Sequence, residues 1–191
     1  MEYLMIIVAG IFVNNIVLNQ FLGICPFLGV SNKLENAIGM SAAVVFVMTL
    51  STTATYLVNK YVLVTNNLSF MQTIVYILVI AALVQVVEII LKKTSPALYQ
   101  ALGVYLPLIT TNCAILAVAI LVVQKNFNLM QSVVFAIATS LGFSFALIVF
   151  SGIREQLDLV NIPKAMKGVP LSLLTAGLLS LAFMGFSGMV K

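Results

Sequence analysis

The sequence predicts an all-α membrane protein with six transmembrane helices, and three observations support this fold class. Of its 191 residues, 62% are hydrophobic and only 7% are charged, and the mean hydropathy is +1.19. A soluble domain could not bury so much apolar surface. The apolar residues also fall into stretches of about 20, which is the length that crosses a bilayer as a helix. We place the spans at residues 4–24, 38–58, 70–91, 98–123, 129–151 and 170–189.

The first span is expected to remain in the mature protein rather than to be a signal peptide. It opens with Met-Glu-Tyr, which is not basic, and no small-x-small cleavage site closes a short apolar core. The alternating pattern of a membrane β-barrel is absent from the sequence. Because the connections between the spans are short, residues 1–191 are expected to form one integral membrane domain without a soluble catalytic domain.

The chain divides into two similar halves, residues 1–95 and 96–191. Its only two cysteines, Cys25 and Cys113, occupy corresponding positions and both open the pattern Cys-x-x-Leu-small-Val. Three spans per half is an odd number, so the second half would enter the bilayer upside down. Inverted repeats place a shared site near the bilayer midplane, often on interrupted helices. The sequence therefore predicts an inverted repeat of three plus three helices, with helices one and four interrupted.

Helix-breaking residues surround both cysteines. Pro26 follows Cys25 and has no backbone N–H to donate, and glycines flank it at 23 and 29. The segment before Cys113 contains Pro107, Thr110, Thr111 and Asn112. Within lipid, such breaks persist only where protein or a cofactor satisfies the freed backbone groups. Two interpretations stay open: a pair of ordinary kinks, or two half-helices whose ends meet at a site.

The cysteines are the candidate metal ligands. Free cysteine is often a small inert core residue, but two at equivalent positions beside broken helices favour a ligand role. The absence of histidine excludes histidine-ligated haem, Rieske-type ligation and Cys₂His₂ zinc. Two thiols are too few for an iron–sulfur cluster with four cysteine ligands. A second chain would have to supply the other two, and helix N-termini at the breaks would offset the negative charge.

Other polar residues in the spans have two interpretations each. Glu88 is the only acidic residue inside a span; it could lie on an ion path or form an interfacial ion pair with Lys92, four residues later. Asn14 and Asn15 make the first span unusually polar. These amides could bind neighbouring helices together, line a cation path or support the cysteine site.

The basic residues indicate topology rather than a nucleic-acid surface. The face richer in positive charge is expected to be cytoplasmic, which would place both termini on the outer side. That face carries Lys33, Lys92, Lys93, Arg154, Lys164 and Lys167, whereas Lys60, Lys125 and Lys191 lie on the other. We find no phosphate-binding loop, no dinucleotide fingerprint and no hydrolytic triad. The chain is therefore not expected to bind a nucleotide or to hold a complete active site.

The residues around the cysteines resemble those of a known family of membrane redox proteins. The chain is similar to the A subunit of the Rnf complex, an ion-translocating ferredoxin:NAD⁺ oxidoreductase, and also to the E subunit of the sodium-pumping NADH:quinone oxidoreductase. The resemblance covers nearly the whole chain. The segments that carry it are Val-Asn-Asn at 13–15, Phe-Leu-Gly-Ile-Cys-Pro-Phe-Leu-Gly-Val-Ser at 21–31, Lys-Thr-Ser-Pro at 93–96, Leu-Pro-Leu-Ile-Thr-Thr-Asn-Cys-Ala at 106–114 and Leu-Ala-Phe-Met-Gly-Phe-Ser-Gly at 181–188.

This resemblance implies an electron-transfer component of the prokaryotic inner (plasma) membrane. It implies that Cys25 and Cys113 give two of four ligands to a 2Fe–2S cluster. A homologous six-helix protein of opposite orientation, similar to the E subunit of the Rnf complex, would give the other two. It further implies cytoplasmic iron–sulfur and flavin-carrying partner subunits. The family's flavin-attachment motif is of the Ser-Gly-Ala-Thr type, whereas this chain has only Ser-Gly-Met at 187–189, so no covalent flavin is expected.

Other functions stay open at the level of the sequence. The chain could belong to a sodium-pumping NADH:quinone oxidoreductase, or it could be an inverted-repeat secondary transporter with structural cysteines. It could also be a scaffold that only orients redox-active partners. A transporter would tolerate loss of both cysteines and work alone, whereas a component that binds a cluster would not.

Overall fold

The computed structural model describes residues 2–66, 69–94, 106–160 and 168–185, and every regular element in these ranges is helical. Helix α1 (Glu2–Val8) continues as a π-helical turn, Ala9–Val13. After an irregular segment, α2 runs over Ile24–Val30. Helix α3 (Leu34–Val58) continues through a π-helical turn, Asn59–Leu63, into Val64–Asn66.

The remaining elements follow in the same helical pattern. A 3₁₀ turn, Ser69–Met71, leads into α4 (Gln72–Thr94). The short α5 (Leu106–Thr110) is followed after two residues by α6 (Cys113–Gln124). Helix α7 spans Leu129–Asp158 and α8 spans Val169–Met184.

The all-α membrane class predicted from the sequence is confirmed. Within the described residues, four helical segments are long and apolar enough to cross a bilayer: Leu34–Leu63, Gln72–Ile90, Pro107–Gln124 and Leu129–Asp158. Helix α8 is a shorter apolar helix. Large apolar side chains cover much of the outer surface, including Leu78, which is 67% exposed on α4. Such a surface is suited to lipid or to other membrane subunits.

The core forms around two long helices, α3 and α7, which pack against each other. Helix α6 packs on α3, whereas α1 with its π-helical turn packs on α7. The centre of this bundle is filled by side chains that are completely buried. They include Met40, Val44 and Met48 from α3, Val118 from α6, and Phe143, Leu147 and Phe150 from α7.

The crossing of α1 and α7 depends on two glycines. A Cβ atom on Gly142 would lie 2.8 Å from the backbone oxygen of Gly10, and one on Gly10 would lie 3.2 Å from the Cβ of Ala138. Small residues spaced four apart allow helix backbones to approach this closely in membranes. The spacing of Ala138 and Gly142 therefore brings the first break against the middle of α7.

Two predicted spans are corrected by the structure. The first span, 4–24, is not one helix, because helical structure ends at Val13 and resumes at Ile24. The fourth, 98–123, is interrupted at residues 111–112, and its start lies outside the described residues. The fifth span continues to Asp158, seven residues beyond its predicted end of 151. The predicted end of the sixth span also lies outside the described residues.

Candidate functional site

The first break, residues 14–23, satisfies its backbone through asparagine side chains. The Oδ1 atom of Asn15 accepts hydrogen bonds from the N–H groups of Val17 and Leu18 at 3.1 and 3.4 Å. Its Nδ2 donates to the carbonyl of Gly142 on α7 at 2.8 Å. Nδ2 of Asn19 donates to the carbonyl of Val13, also at 2.8 Å. The apolar setting requires such internal partners, and the asparagines therefore hold the irregular backbone in place.

Helix α8 contributes a further contact to this break. The Ser180 hydroxyl donates to the carbonyl of Leu18 at 2.6 Å. Phe21 has a positive φ of 55° and Gly23 one of 79°, so the chain turns sharply just before α2 begins. The irregular backbone of the first break is thus anchored to both α7 and α8.

The second break is shorter and is closed by its own side chains. Thr111 donates from Oγ1 to the carbonyl of Pro107 at 2.8 Å. Asn112 is the N-cap of α6, and its Oδ1 accepts from the N–H of Ala114 at 3.0 Å. Asparagine is among the preferred N-cap residues because its oxygen satisfies one of the orphan N–H groups of the first turn. Asn112 therefore fixes the start of the helix that carries Cys113.

The two breaks meet at a junction formed by Gly23, Asn112, Cys113, Ala114 and Phe143. The N–H of Gly23 donates to Sγ of Cys113 at 2.9 Å. A Cβ atom on Gly23 would lie 2.9 Å from Cε2 of Phe143, 3.1 Å from the Cβ of Ala114 and 3.4 Å from Oδ1 of Asn112. Only glycine fits this space with φ in the left-handed region. The junction therefore joins the two halves of the chain at their cysteine motifs.

Both cysteines lie in the first turn of a helix. Cys113 is the first residue of α6 and Cys25 the second residue of α2. Both are free thiols; Cys25 is exposed and Cys113 is partly buried. The positive end of a helix favours negative charge on such groups. An exposed thiol on an apolar protein surface is accessible to a group shared with a neighbouring chain.

Helix α2 is held at its other end by α7. The guanidinium of Arg154 donates from Nη1 to the carbonyl of Leu28 at 2.8 Å and to Oγ of Ser31 at 2.9 Å. Phe27 stacks on Phe150 with ring centroids 4.3 Å apart. A cation at a helix C-terminus complements the partial negative charge of the last carbonyls. The short helix that carries Cys25 is therefore fixed at both ends.

A cavity of about 360 Å³ lies beside the first break. Asn14, Gln20, Thr139 and Lys125 contribute polar groups to its otherwise apolar lining. The Nζ atom of Lys125 lies 5.2 Å from the ring centroid of Phe135. Asn14, predicted as a possible ion-path residue, is thus exposed beside a lysine, and this positive charge disfavours the entry of cations from that end.

The predicted site residues fall into three groups. Asn15, Asn112 and Cys113 contribute directly to the breaks and their junction. Pro26 is buried within the first turn of α2, where a missing N–H costs little, so the break precedes it instead of lying at it. Pro107 and Thr110 lie in α5, next to the second break. Glu88 is partly buried on α4, outside both breaks and four residues before the exposed Lys92.

Two residues contribute to the site without a signal in the sequence. The sequence marks Arg154 only as a charge that indicates topology, and it does not distinguish Gly142 from other glycines. No local pattern identifies either residue, because Arg154 bonds to a residue 126 positions earlier and Gly142 accepts from one 127 positions earlier. Contacts of this range depend on how α7 packs rather than on the surrounding sequence.

The donor set determines which cofactor could bind here. Within the described part of the chain, no group of three or more histidine, cysteine, aspartate or glutamate side chains could hold a metal ion. The two cysteine sulfurs are soft ligands suited to an iron–sulfur group. They fit half of a four-cysteine cluster, provided that a second chain approaches the exposed Cys25.

Comparisons with known proteins give a consistent result. The sequence model of the Rnf-Nqr family, described as "Rnf-Nqr subunit, membrane protein", matches residues 3–190. The A subunit of the Na⁺-translocating ferredoxin:NAD⁺ oxidoreductase complex of Acetobacterium woodii is 54% identical over 189 residues, covering 99% of this chain and 98% of that protein. The A subunit of the ion-translocating oxidoreductase complex of Shewanella baltica is 53% identical over 190 residues, covering 100% and 99%. Its counterpart from Syntrophotalea carbinolica is 53% identical over 187 residues, covering 98% and 97%.

Proposed function

Because the chain belongs to the Rnf-Nqr family of membrane subunits, we propose that it is the A subunit of an ion-translocating ferredoxin:NAD⁺ oxidoreductase complex. In this proposal it transfers electrons within the complex and has no complete active site of its own. Relatives that match along almost their entire length carry this name, which favours this function over that of the related NADH:quinone oxidoreductase component.

Cys25 and Cys113 would provide two of the four ligands of a 2Fe–2S cluster. The observation that carries this proposal is the 2.9 Å hydrogen bond from the N–H of Gly23 to Sγ of Cys113. This contact brings the two cysteine motifs to one junction from opposite halves of the chain. When bound, the cluster would supply a one-electron relay part of the way across a bilayer core of about 30 Å.

The chain's own residues would hold the cysteines and limit their movement. Gly23 donates to one cysteine sulfur, Asn112 fixes the first turn of α6, and Arg154 holds the far end of α2. Metal ligands generally depend on such surrounding hydrogen bonds for their orientation. The N-termini of α2 and α6 would also offset part of the negative charge of a thiolate-ligated group.

The partner would be a homologous protein of opposite orientation that provides the other two cysteines. The packing of the helices supports an inverted repeat of this kind. Helices α3 and α7 would be related to each other, and α6 packs on α3 as α1 packs on α7. A second protein of this architecture facing the exposed Cys25 would complete the ligand set with matching geometry.

The experiment that tests this function is iron analysis with EPR spectroscopy of the reduced, purified complex. We expect Cys25→Ser and Cys113→Ser each to remove the same 2Fe–2S signal and to abolish electron transfer, because either change leaves three ligands. The complex should still assemble, which subunit composition after purification would check. An unchanged iron content and spectrum in both variants would assign the cysteines a structural role and contradict the proposal.

A further inference from the structure

Two buried side-chain atoms among the described residues have no hydrogen-bond partner, namely Oγ of Ser51 and Nδ2 of Asn112. A hydroxyl can rotate towards a carbonyl of its own helix, as several neighbouring threonines of α3 do. The amide of Asn112 has no such freedom. Its Oδ1 accepts from the N–H of Ala114 at 3.0 Å, so exchanging the two ends of the amide would leave two donors facing each other.

The unpaired Nδ2 belongs to a residue at the junction. Asn112 is 4% exposed and directly precedes Cys113. Its Oδ1 lies against Gly23, whose N–H donates to Sγ of Cys113. A buried donor without an acceptor costs about 1–3 kcal/mol, and the bilayer core offers no water to pair with it. The molecule therefore holds a fixed, unused N–H donor beside its cysteine sulfur.

We propose that Nδ2 of Asn112 donates a hydrogen bond to sulfur at the cysteine pair, either a cysteine thiolate or a sulfide of the bound cluster. This inference rests on the proposed function. Reduction adds one electron to the cluster and so increases the negative charge on its sulfurs. A donor aimed at that sulfur stabilises the reduced form more than the oxidised form. Asn112 thus joins the N–H of Gly23 in raising the reduction potential of the relay.

The test is a redox titration of the purified complex carrying Asn112→Ser, followed by EPR. Serine keeps a neutral side chain and caps helices about as well as asparagine, but it lacks the amide donor. We expect the equilibrium constant for reduction to fall about tenfold, which corresponds to a midpoint lower by about 59 mV for one electron. Asn112→Thr fills more of the vacated space and should give a shift of the same sign.

The matched control is Ser51→Ala, which removes the other unpaired buried atom and lies in α3, outside both cysteine segments. It should leave the midpoint unchanged. A normal cluster signal with an unshifted midpoint in both Asn112 variants would overturn the inference and assign the amide to contact with the partner chain, while leaving the proposed function intact. Absence of any cysteine-dependent cluster in the unsubstituted complex would instead overturn the proposed function.

Discussion

At the scale of single residues, Gly23 explains how two distant segments can share one site. It adopts φ of +79°, it leaves no space for a Cβ atom, and its N–H reaches a sulfur in the other half of the chain. Any side chain at this position would be strained and would also separate the two breaks. The requirement for glycine is therefore both conformational and steric.

We predict that Gly23→Ala destabilises the protein by about 1–3 kcal/mol, because it combines a left-handed backbone with a contact below 3.0 Å to Phe143. The cluster content of the purified complex should fall in parallel. Thermal unfolding in detergent and iron analysis would measure the two effects.

Gly29→Ala is the matched control for this change. Gly29 lies in the same short helix, and a Cβ atom there would meet only Cδ1 of Leu108 at 3.7 Å, an ordinary contact. Equal losses in the two variants would mean that general weakening of α2, and not the junction, determines the effect.

The sequence identifies the cysteines but not the junction around them. Cys25 and Cys113 stand out because they are the only cysteines and open the same motif. Gly23 and Asn112 are recognisable in the sequence as residues that break or support helices, which is a local property. Their contact with each other depends on the packing of two segments 90 residues apart, and no short pattern encodes this contact.

At the scale of elements, hydropathy predicts the continuous helices well and the broken ones poorly. Spans two and three agree with α3 and α4 to within a few residues at most of their ends. Hydropathy does not reveal the length of the first break, because its middle residues, Ile16, Val17 and Leu18, are apolar and almost fully buried. A hydropathy window cannot distinguish such a buried loop from a helix.

The close crossing of α1 and α7 leads to a prediction at this scale. Gly142→Ala would place a Cβ atom 2.8 Å from the backbone oxygen of Gly10. The backbone of the first segment would have to shift, which also disturbs the bond from Asn15 to the Gly142 carbonyl. We expect a loss of about 1–3 kcal/mol in stability, measured by thermal unfolding in detergent.

Gly152→Ala provides the comparison within the same helix, since a Cβ atom there meets nothing within 4 Å. Replacing a glycine in a helix interior by alanine should be neutral or stabilise the protein by up to about 1 kcal/mol. The element-level interpretation would be wrong if Gly142→Ala behaved in the same way as Gly152→Ala.

At the scale of the whole molecule, the distribution of charge leads to a prediction about orientation. Lys33, Lys93 and Arg154 belong to the predicted cytoplasmic face, and Lys125 belongs to the other. In a chain that carries Cys25→Ser and Cys113→Ser, we expect Gln124→Cys to react with a membrane-impermeant maleimide added outside intact cells. Lys33→Cys should react only after the membrane is opened.

Both positions are exposed, so accessibility to the reagent is not limited by the fold. The reverse labelling pattern would show that the basic residues do not determine the orientation of this chain. It would then place both termini in the cytoplasm.

The contact between Gly23 and Cys113 also sets an order of events during synthesis. These residues are 90 positions apart, and chains grow at about 5–20 residues per second, so the first break waits on the order of 5–18 s for its sulfur partner. Asn15 waits longer still, because its acceptor on Gly142 lies 127 residues away. The irregular segment must therefore enter the membrane with its polar groups unpaired and find their partners only after most of the chain has been translated. The junction is among the last parts of the protein to form, and any group that it holds must be loaded after translation of its second half.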